Sequence, residues 1–281
     1  MMKKLVLWAM ASLLIINTPT PSYADEGMGI SSTAADMHIE DVYNAICADG
    51  NSLPSYAVFE KAYRGYLNLQ NAGRLNANKH ILTICDLSLS ANENRMWIID
   101  LSQKKVLLHT LVAHGQGSGE EYAMKFSNKM NSHQTSLGFY VTGDTYNGDH
   151  GRSLYLHGMD RGFNNMAYDR AIVVHGADYV SKDFICSNER LGRSWGCPAV
   201  PAKLSNKVID HIKDGTCLFI YYPQKQYLKS SVWLKKNISH LPQDIAAKYP
   251  MLQKTPVVEY EYGPRMQAML KEIPPIMLPL W

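Results

Sequence analysis

The residue pair best suited to covalent chemistry is Cys197 with His175. Residues 171–174 form an apolar, largely β-branched run that predicts a strand ending at His175. Residues 192–198 form a glycine-containing loop that presents Cys197 immediately before a proline. Because a thiol beside an imidazole base is the arrangement of a cysteine nucleophile, we expect an acyl-transfer enzyme.

The residues that follow Cys197 predict a helix that would activate its thiol. Pro198 and Pro201 suit the start of a helix, and the apolar residues of one helical face are Val200, Leu204, Val208, Ile209 and Ile212. A thiol at a helix N-terminus has a lowered pKa because the helix dipole stabilises the thiolate. The backbone N–H groups of Gly196 and Cys197 are then candidates for an oxyanion hole.

Other histidines compete with His175 for the role of base. His157 also lies at the end of a predicted strand, but it is farther from Cys197 in sequence. His114 and His150 are further candidates for lining the same cleft. Mixed histidine and cysteine sites can bind zinc, but no short ligand pair is present. We therefore expect neither a metal nor another cofactor.

Strand-like runs recur along the chain from residue 80 onward and predict a core that is mainly β with flanking helices. The runs cover residues 80–87, 95–101, 106–113, 138–141, 154–157, 171–175 and 217–222. The strong helical pattern among them is the one that follows Cys197. These elements must hold the thiol and the imidazole together.

The two ends of the chain have a different pattern. Residues 25–35 are small and polar and predict a flexible lead-in, followed by helical spacing of apolar residues and a second helix starting near Pro54. Residues 25–79 are therefore expected to be a small helical segment with a structural role. Residues 223–281 are rich in Pro, Tyr and Lys. They are expected to form an extension, either wrapped on the core or used for docking.

The first 24 residues have the layout of a secretory signal peptide. Lys3 and Lys4 precede an apolar run at residues 5–16, and residues 22–24 form a small-x-small cleavage site. The apolar run is about a dozen residues, whereas roughly 20 are needed to span a bilayer, although an uncleaved anchor stays open. We expect export to the periplasm or cell envelope. The chain is nearly neutral, with 28 Lys and Arg against 25 Asp and Glu, which argues against nucleic-acid binding.

Five cysteines are an odd number for an exported protein, which implies a leftover thiol. If Cys197 is the reactive one, two disulfides among the other four are an open alternative to free thiols. Those four are Cys47, Cys85, Cys186 and Cys217.

The order of histidine, loop and Ser194-x-Gly196-Cys197 resembles the L,D-transpeptidase catalytic domain family, which has the YkuD-like fold. That family carries a histidine followed, after a loop, by Ser/Thr-His-Gly-Cys. The residues at 97–101, 114–119, 135–138, 156–158, 161–164 and 170–177 are also similar to a divergent branch of it. The resemblance covers roughly residues 80–222 and implies a β-sandwich catalytic core there.

The resemblance also implies a reaction on the stem peptides of peptidoglycan. Cys197 would attack the carbonyl between diaminopimelate and D-alanine and form a thioester. His175 would be the general base, oriented by the carbonyl of Gly176. An amine of another stem peptide or of an envelope protein would accept the acyl group. Water as acceptor would make the enzyme an L,D-carboxypeptidase, and a non-catalytic envelope binding protein is the further alternative.

Two departures from the family pattern concern substrate contacts. Trp195 stands where the family has histidine, and Ala199 stands where it usually has asparagine or arginine. Arg193 is expected either to bind a stem carboxylate or to be a solvated surface residue. The expected substrate-binding residues are Ser194, Trp195, Arg193, His157 and Tyr146, with Ser153 and Tyr155 near Tyr146 in the donor groove. The sequence does not indicate an oligomeric state.

Overall fold

Eight strands and six helices form residues 32–241, the part of the chain that this computed structural model describes. The strands are β1 (Ile81–Asp86), β2 (Met96–Asp100), β3 (Lys105–Thr110), β4 (Gly138–Gly148), β5 (Gly151–Gly158), β6 (Val173–Ala177), β7 (Ala199–Pro201) and β8 (Cys217–Tyr221). The helices are α1 (Ser32–Ala45), α2 (Tyr56–Asn71), α3 (Lys182–Asn188), α4 (Ser205–Ile212), α5 (Lys225–Ser230) and α6 (Val232–Lys235). The prediction of a mainly β core with flanking helices is confirmed.

All eight strands pair into one sheet in the order β3-β2-β1-β8-β4-β5-β6-β7. Strand β8 lies inside the sheet, parallel to β1 and antiparallel to β4. Every residue of β8 is buried, as expected of a strand covered on both faces. The seven predicted strand runs correspond to β1–β6 and β8. The eighth strand, β7, was not predicted.

The helix predicted directly after Cys197 is replaced there by strand β7. Residues 199–201 pair in parallel with β6, and Ala199 also accepts a hydrogen bond from the Ala113 N–H. Helix α4 begins only at Ser205, and Val208, Ile209 and Ile212 form its buried face. The expectation that a helix dipole lowers the pKa of Cys197 is therefore wrong, because the backbone after the cysteine is extended.

Helix α2 packs on the sheet, α1 packs on α2, and both helices belong to the same hydrophobic core. Ile39 and Phe59 are fully buried in one cluster with strand residues such as Leu82. Residues 32–35, expected to belong to a flexible lead-in, are the first turn of α1. The predicted signal peptide at residues 1–24 lies outside the described residues, as do residues 25–31. Among residues 32–241, none of the helices has the length and apolar character needed to cross a membrane.

Residues 223–241 of the C-terminal extension are wrapped on the core. The buried carboxylate of Asp160 accepts hydrogen bonds from Tyr227 Oη (3.2 Å) and Ser231 Oγ (2.5 Å). Helix α2 also holds this segment, because its Asn68 Nδ2 donates to the carbonyls of Trp233 (2.8 Å) and Lys236 (2.9 Å). The rest of the extension, residues 242–281, lies outside the described residues.

Candidate active site

His175 lies in the middle of β6, in a row of residues that crosses four strands. In this register Tyr146 of β4 faces Ser153 of β5, Ser153 faces His175, and His175 faces Ala199 of β7. Residues paired across strands project to the same face of a sheet. The row therefore places Tyr146, Ser153 and His175 on one face. Its last member, Ala199, is two residues after Cys197, the candidate nucleophile.

The His175 ring is fixed in a position that favours its neutral form. Its Nδ1 pairs with the carbonyl of Gly176 at 3.0 Å, and its ring stacks on His150 at a centroid distance of 4.4 Å. Burial lowers the pKa of His175, the Gly176 carbonyl acts in the opposite direction, and positive charge on His150 lowers it further. A neutral ring that donates from Nδ1 presents Nε2 as a proton acceptor.

The thiol of Cys197 sits against the backbone at the start of β6. The Val173 N–H donates to Sγ at 3.5 Å, and Sγ lies 3.7 Å from the carbonyl of Ala171. Burial raises the pKa of Cys197, while the Val173 amide and the charge of Arg170 act in the opposite direction. Burial is the largest effect, so the thiol is protonated at neutral pH and needs a base to become a nucleophile.

Ser194 closes the turn that presents the cysteine. Its hydroxyl donates to the Cys197 carbonyl at 2.6 Å and accepts from the Gly196 N–H at 3.1 Å. Both functions of its buried hydroxyl are used inside the turn, and its expected contact with substrate stays a prediction. The expectation of a free Gly196 amide is corrected, because this amide donates to the Ser194 hydroxyl. Within the described part of the chain, no hydrogen bond engages the Cys197 N–H.

Two further loops pack tightly against Gly196. Gly196 has a φ of +123°, which favours glycine, and a Cβ there would lie 2.9 Å from the carbonyl oxygen of Gln134. A Cβ on Gly115 would lie 2.8 Å from the Gly196 Cα. Thr135 joins the loops, because its Oγ1 donates to the Gly196 carbonyl at 3.1 Å and accepts from the Gly115 N–H at 2.9 Å. The backbone of the cysteine loop is thus held from two sides.

Trp195 and Arg193 flank this turn in different ways. Trp195 is 73% exposed and stacks in parallel on the His133 ring at 5.1 Å. Arg193 donates to the Glu120 carboxylate at 2.7 Å and to the Gly119 carbonyl at 2.9 Å. Arg193 shares the Glu120 carboxylate with Arg190 (3.0 Å), so it is an ion-paired side chain, and its role toward a stem carboxylate stays a prediction. Trp195 keeps an accessible ring beside the cysteine.

Stacked aromatic rings extend from the row that contains His175. Tyr146 stacks on Tyr155 at 4.5 Å, Tyr155 contacts Tyr168 at 5.3 Å, and Tyr168 stacks on His157 at 5.1 Å. Burial raises the pKa of Tyr146, and negative charge on Cys197 adds to that effect. Tyr146, Tyr155 and His157 therefore form one wall, joined by Tyr168, a residue that the sequence analysis did not single out.

His114 lies beneath the loops rather than in the cleft. It is 1% exposed, and its Nδ1 accepts a hydrogen bond from the buried Arg95 guanidinium at 2.8 Å. The carbonyl of His114 accepts from the Ser194 N–H at 3.0 Å. Its expected place in the cleft lining is therefore corrected to a support for the cysteine loop.

All five cysteines are free, so the two-disulfide alternative does not hold in this structure. Cys85 and Cys217 are buried, Cys47 and Cys186 are exposed, and Cys197 is half-buried. Among residues 32–241, no group of three or more His, Cys, Asp or Glu side chains is arranged to bind a metal ion.

Several of the solved structures that the chain resembles are L,D-transpeptidases of low sequence identity. They include an L,D-transpeptidase from Mycobacterium smegmatis (13% identity, TM-score 0.32, 51% of this chain and 59% of that one). Another comes from Xylanimonas cellulosilytica (15% identity, TM-score 0.30, 73% and 100%), and a third is the Enterococcus faecium catalytic domain (15% identity, TM-score 0.28, 52% and 100%). The match thus spans 59% of the M. smegmatis protein. No curated protein matches the chain.

The sequence pattern of one protein family covers more than half of the chain. The pattern of the L,D-transpeptidase catalytic domain, YkuD_2, matches residues 51–221. This range includes helix α2, all eight strands, His175 and Cys197. The chain therefore belongs to the L,D-transpeptidase catalytic domain family.

Proposed function

We propose that this protein is a cysteine L,D-transpeptidase that acts on the stem peptides of peptidoglycan, with Cys197 as nucleophile and His175 as general base. The observation that carries the proposal is the pairing of β6 with β7. It places the Cys197 thiol against Val173, two residues before His175, whose ring is oriented by the Gly176 carbonyl. Family membership supports the reaction class.

In the first half-reaction His175 carries the proton and Cys197 receives the acyl group. His175 Nε2 takes the thiol proton while Cys197 Sγ attacks the carbonyl between diaminopimelate and D-alanine. The C–N bond then breaks, the imidazolium gives its proton to the leaving amine of D-alanine, and a thioester remains on Cys197. The amide of Cys197, which no described residue engages, is the donor proposed to stabilise the oxyanion.

In the second half-reaction an amine of a neighbouring stem peptide attacks the thioester. His175 takes the proton of that amine, and the Cys197 sulfur leaves and is reprotonated. The exposed Trp195 ring and the aromatic wall from Tyr146 to His157 are proposed to bind the two peptides. Water in place of the amine would give L,D-carboxypeptidase activity, and an envelope protein amine would give attachment. Export by the signal peptide at residues 1–24 would bring the enzyme to its substrate.

The test is to incubate the protein with defined tetrapeptide muropeptides and to weigh the products. We expect D-alanine release and a cross-linked product, both abolished in Cys197→Ala. Cys186→Ala is the matched control, since it removes an exposed thiol away from the turn, and it should keep wild-type turnover. A carbapenem should add its mass to Cys197.

Each outcome separates the alternatives. Release of D-alanine without cross-linking would assign the carboxypeptidase reaction. Unchanged turnover in Cys197→Ala would contradict the proposal. Absence of both turnover and carbapenem acylation in the wild-type protein would favour a non-catalytic binding protein.

A further inference from the structure

Arg170 is a half-buried cation that ties together the loop beneath the cysteine turn. Its guanidinium lies just before β6 and donates to four groups of residues 127–136. These are the carbonyl of Ser127 (2.8 Å), the carbonyl of Gln134 (2.8 Å), Oγ of Ser132 (3.2 Å) and Oγ of Ser136. A planar guanidinium suits this fork of acceptors, whereas a lysine does not.

The same guanidinium reaches the backbone of the nucleophile turn. One of its nitrogens, Nη2, lies 3.5 Å from the point where a Cβ on Gly196 would stand, and Gln134, one of its acceptors, lies 2.9 Å from that point. No ion pair of residues 32–241 includes Arg170. Its charge is therefore not neutralised by a carboxylate, and it lies next to the residue before the thiol.

We propose that Arg170 is a positioning residue for Cys197: its fork fixes residues 127–136 beneath Gly196, and its unpaired charge favours the thiolate. The proposal deepens the proposed function, on which its catalytic meaning rests. A positive charge near an acidic group stabilises the charged form more strongly when burial excludes water. The pKa of Cys197 is lowered by Arg170 against the raising effect of burial, in agreement with this geometry.

The other charged or titratable groups around the thiol do not supply that charge. His175 is a buried imidazole whose pKa is lowered, chiefly by burial, and His150 stacks on it. Tyr146 and Tyr179 contribute phenols whose pKa values are raised, chiefly by burial, so both are neutral at pH 7. Among the described residues facing Cys197, Arg170 is thus the permanent cation.

The test measures how the alkylation rate of Cys197 by iodoacetamide depends on pH. Cys47→Ala and Cys186→Ala form the background, because these two exposed thiols would react first. In Arg170→Gln we expect the curve to move to higher pH and the rate at pH 7 to fall about tenfold, since an adjacent opposite charge commonly shifts a pKa by a unit or more. Mass spectrometry locates the label.

Two further variants separate charge from structure. Arg170→Lys keeps the charge and loses the fork, so its alkylation curve should stay near that of the background protein while peptide turnover falls. Arg161→Gln removes one positive charge from an exposed position in the segment between β5 and β6, which also carries Arg170. It should change neither the alkylation curve nor peptide turnover. Circular dichroism establishes that each variant is folded.

Two results would overturn the inference. One is a folded Arg170→Gln variant with an unchanged alkylation curve. The other is a folded Arg170→Lys variant whose alkylation curve moves about one pH unit or more to higher pH, which can be measured even if the glutamine variant fails to fold. Alkylation needs no stem peptide, so this test can fail or succeed independently of the transpeptidase activity.

Discussion

The pKa shifts of the proposed catalytic pair, Cys197 and His175, favour the neutral form of both residues. Burial raises the pKa of the Cys197 thiol and lowers the pKa of the His175 imidazole. Both shifts disfavour a thiolate–imidazolium pair, because both ions would have to form in the same enclosed site. In the proposed reaction we therefore expect His175 to act as a general base that takes the proton as the sulfur attacks, rather than as the partner of a preformed thiolate.

This assignment predicts a shift in the pH profile when His150 is replaced. Protonated His150 lowers the pKa of His175, and the His150 ring also covers it. In His150→Gln the pKa of His175 should rise, so the acidic limb of the pH–rate profile should move to higher pH. The measurement is kcat/KM for D-alanine release between pH 4.5 and 8.

The matched control for this experiment is His240→Gln, which removes an exposed histidine on the C-terminal extension. Its acidic limb should coincide with that of the wild-type protein. An acidic limb that stays in place, or that moves to lower pH, in His150→Gln would show that His150 does not act on the base.

At the level of elements, three loops converge on the backbone of one glycine. Gly196 is contacted by the loops that carry Gly115 and Gln134, and Ser194 closes its own turn. Strands β6 and β7 carry the base and the end of the cysteine loop in a fixed register. The geometry of the proposed nucleophile, Cys197, thus depends on close backbone packing rather than on a helix N-terminus.

Gly196→Ala should therefore impair catalysis far more than it impairs folding. A Cβ at this position meets the Gln134 carbonyl at 2.9 Å, so the turn must shift. A displacement of about 1 Å at a reacting group costs on the order of a hundredfold in rate, and we expect at least that loss in kcat.

Gly162→Ala provides the matched comparison for Gly196→Ala. Gly162 also has a positive φ, +83°, but a Cβ there meets nothing within 4 Å. It should lose about 1 kcal/mol of stability from backbone strain and keep its activity. Equal kcat values for the two variants would contradict the role assigned to the packing around Gly196.

The strands were predictable because their apolar, β-branched runs form most of the buried core. Strand β7 was not, because three residues following Pro198 carry too short a pattern and the helical face of α4 was extended back over them. The outer halves of β4 and β5 are partly exposed and polar, so their pattern was weak there.

The proposed pair, Cys197 and His175, follows from residue type and order, and its catalytic role stays a prediction. The residues that hold this pair in place were not predictable. Arg170, His133 and Tyr168 reach the site from loops that are distant from Cys197 along the chain, and their residue types carry no local pattern. The engagement of the Gly196 amide by Ser194 depends on the turn geometry, which the sequence does not specify.

In the core of the molecule, the buried cation Arg95 supports the candidate site through its hydrogen bonds. Arg95 is fully buried, and its guanidinium donates to the carbonyls of Val112 and Leu89 and to His114 Nδ1. The backbone of His114 in turn holds Ser194. His114 must be neutral to accept from Arg95, and burial lowers its pKa to about 4, with the Arg95 charge as the next cause.

Folding stability should therefore fall in acid in a way that depends on His114. Its pKa is about 4 in the folded protein against a usual 6.5, so between these values only the unfolded chain takes up the proton. The free energy of unfolding should lose about 3 kcal/mol from this residue as pH falls from 7 to 4. His114→Asn keeps an acceptor for Arg95 but does not titrate, so this loss should be absent from it.

Denaturant titrations of both proteins at pH 7, 5.5 and 4 measure the difference. Burial raises the pKa values of Asp86 and Asp160, so these carboxyls favour the folded state as pH falls, with the opposite sign. Their contribution is common to both proteins and cancels in the comparison. If the free energy of unfolding changes with pH in the same way in the wild-type protein and in His114→Asn, His114 is not held neutral in the folded protein. A free energy of unfolding that falls by about 3 kcal/mol more in the wild-type protein than in His114→Asn would tie the acid stability of the fold to His114.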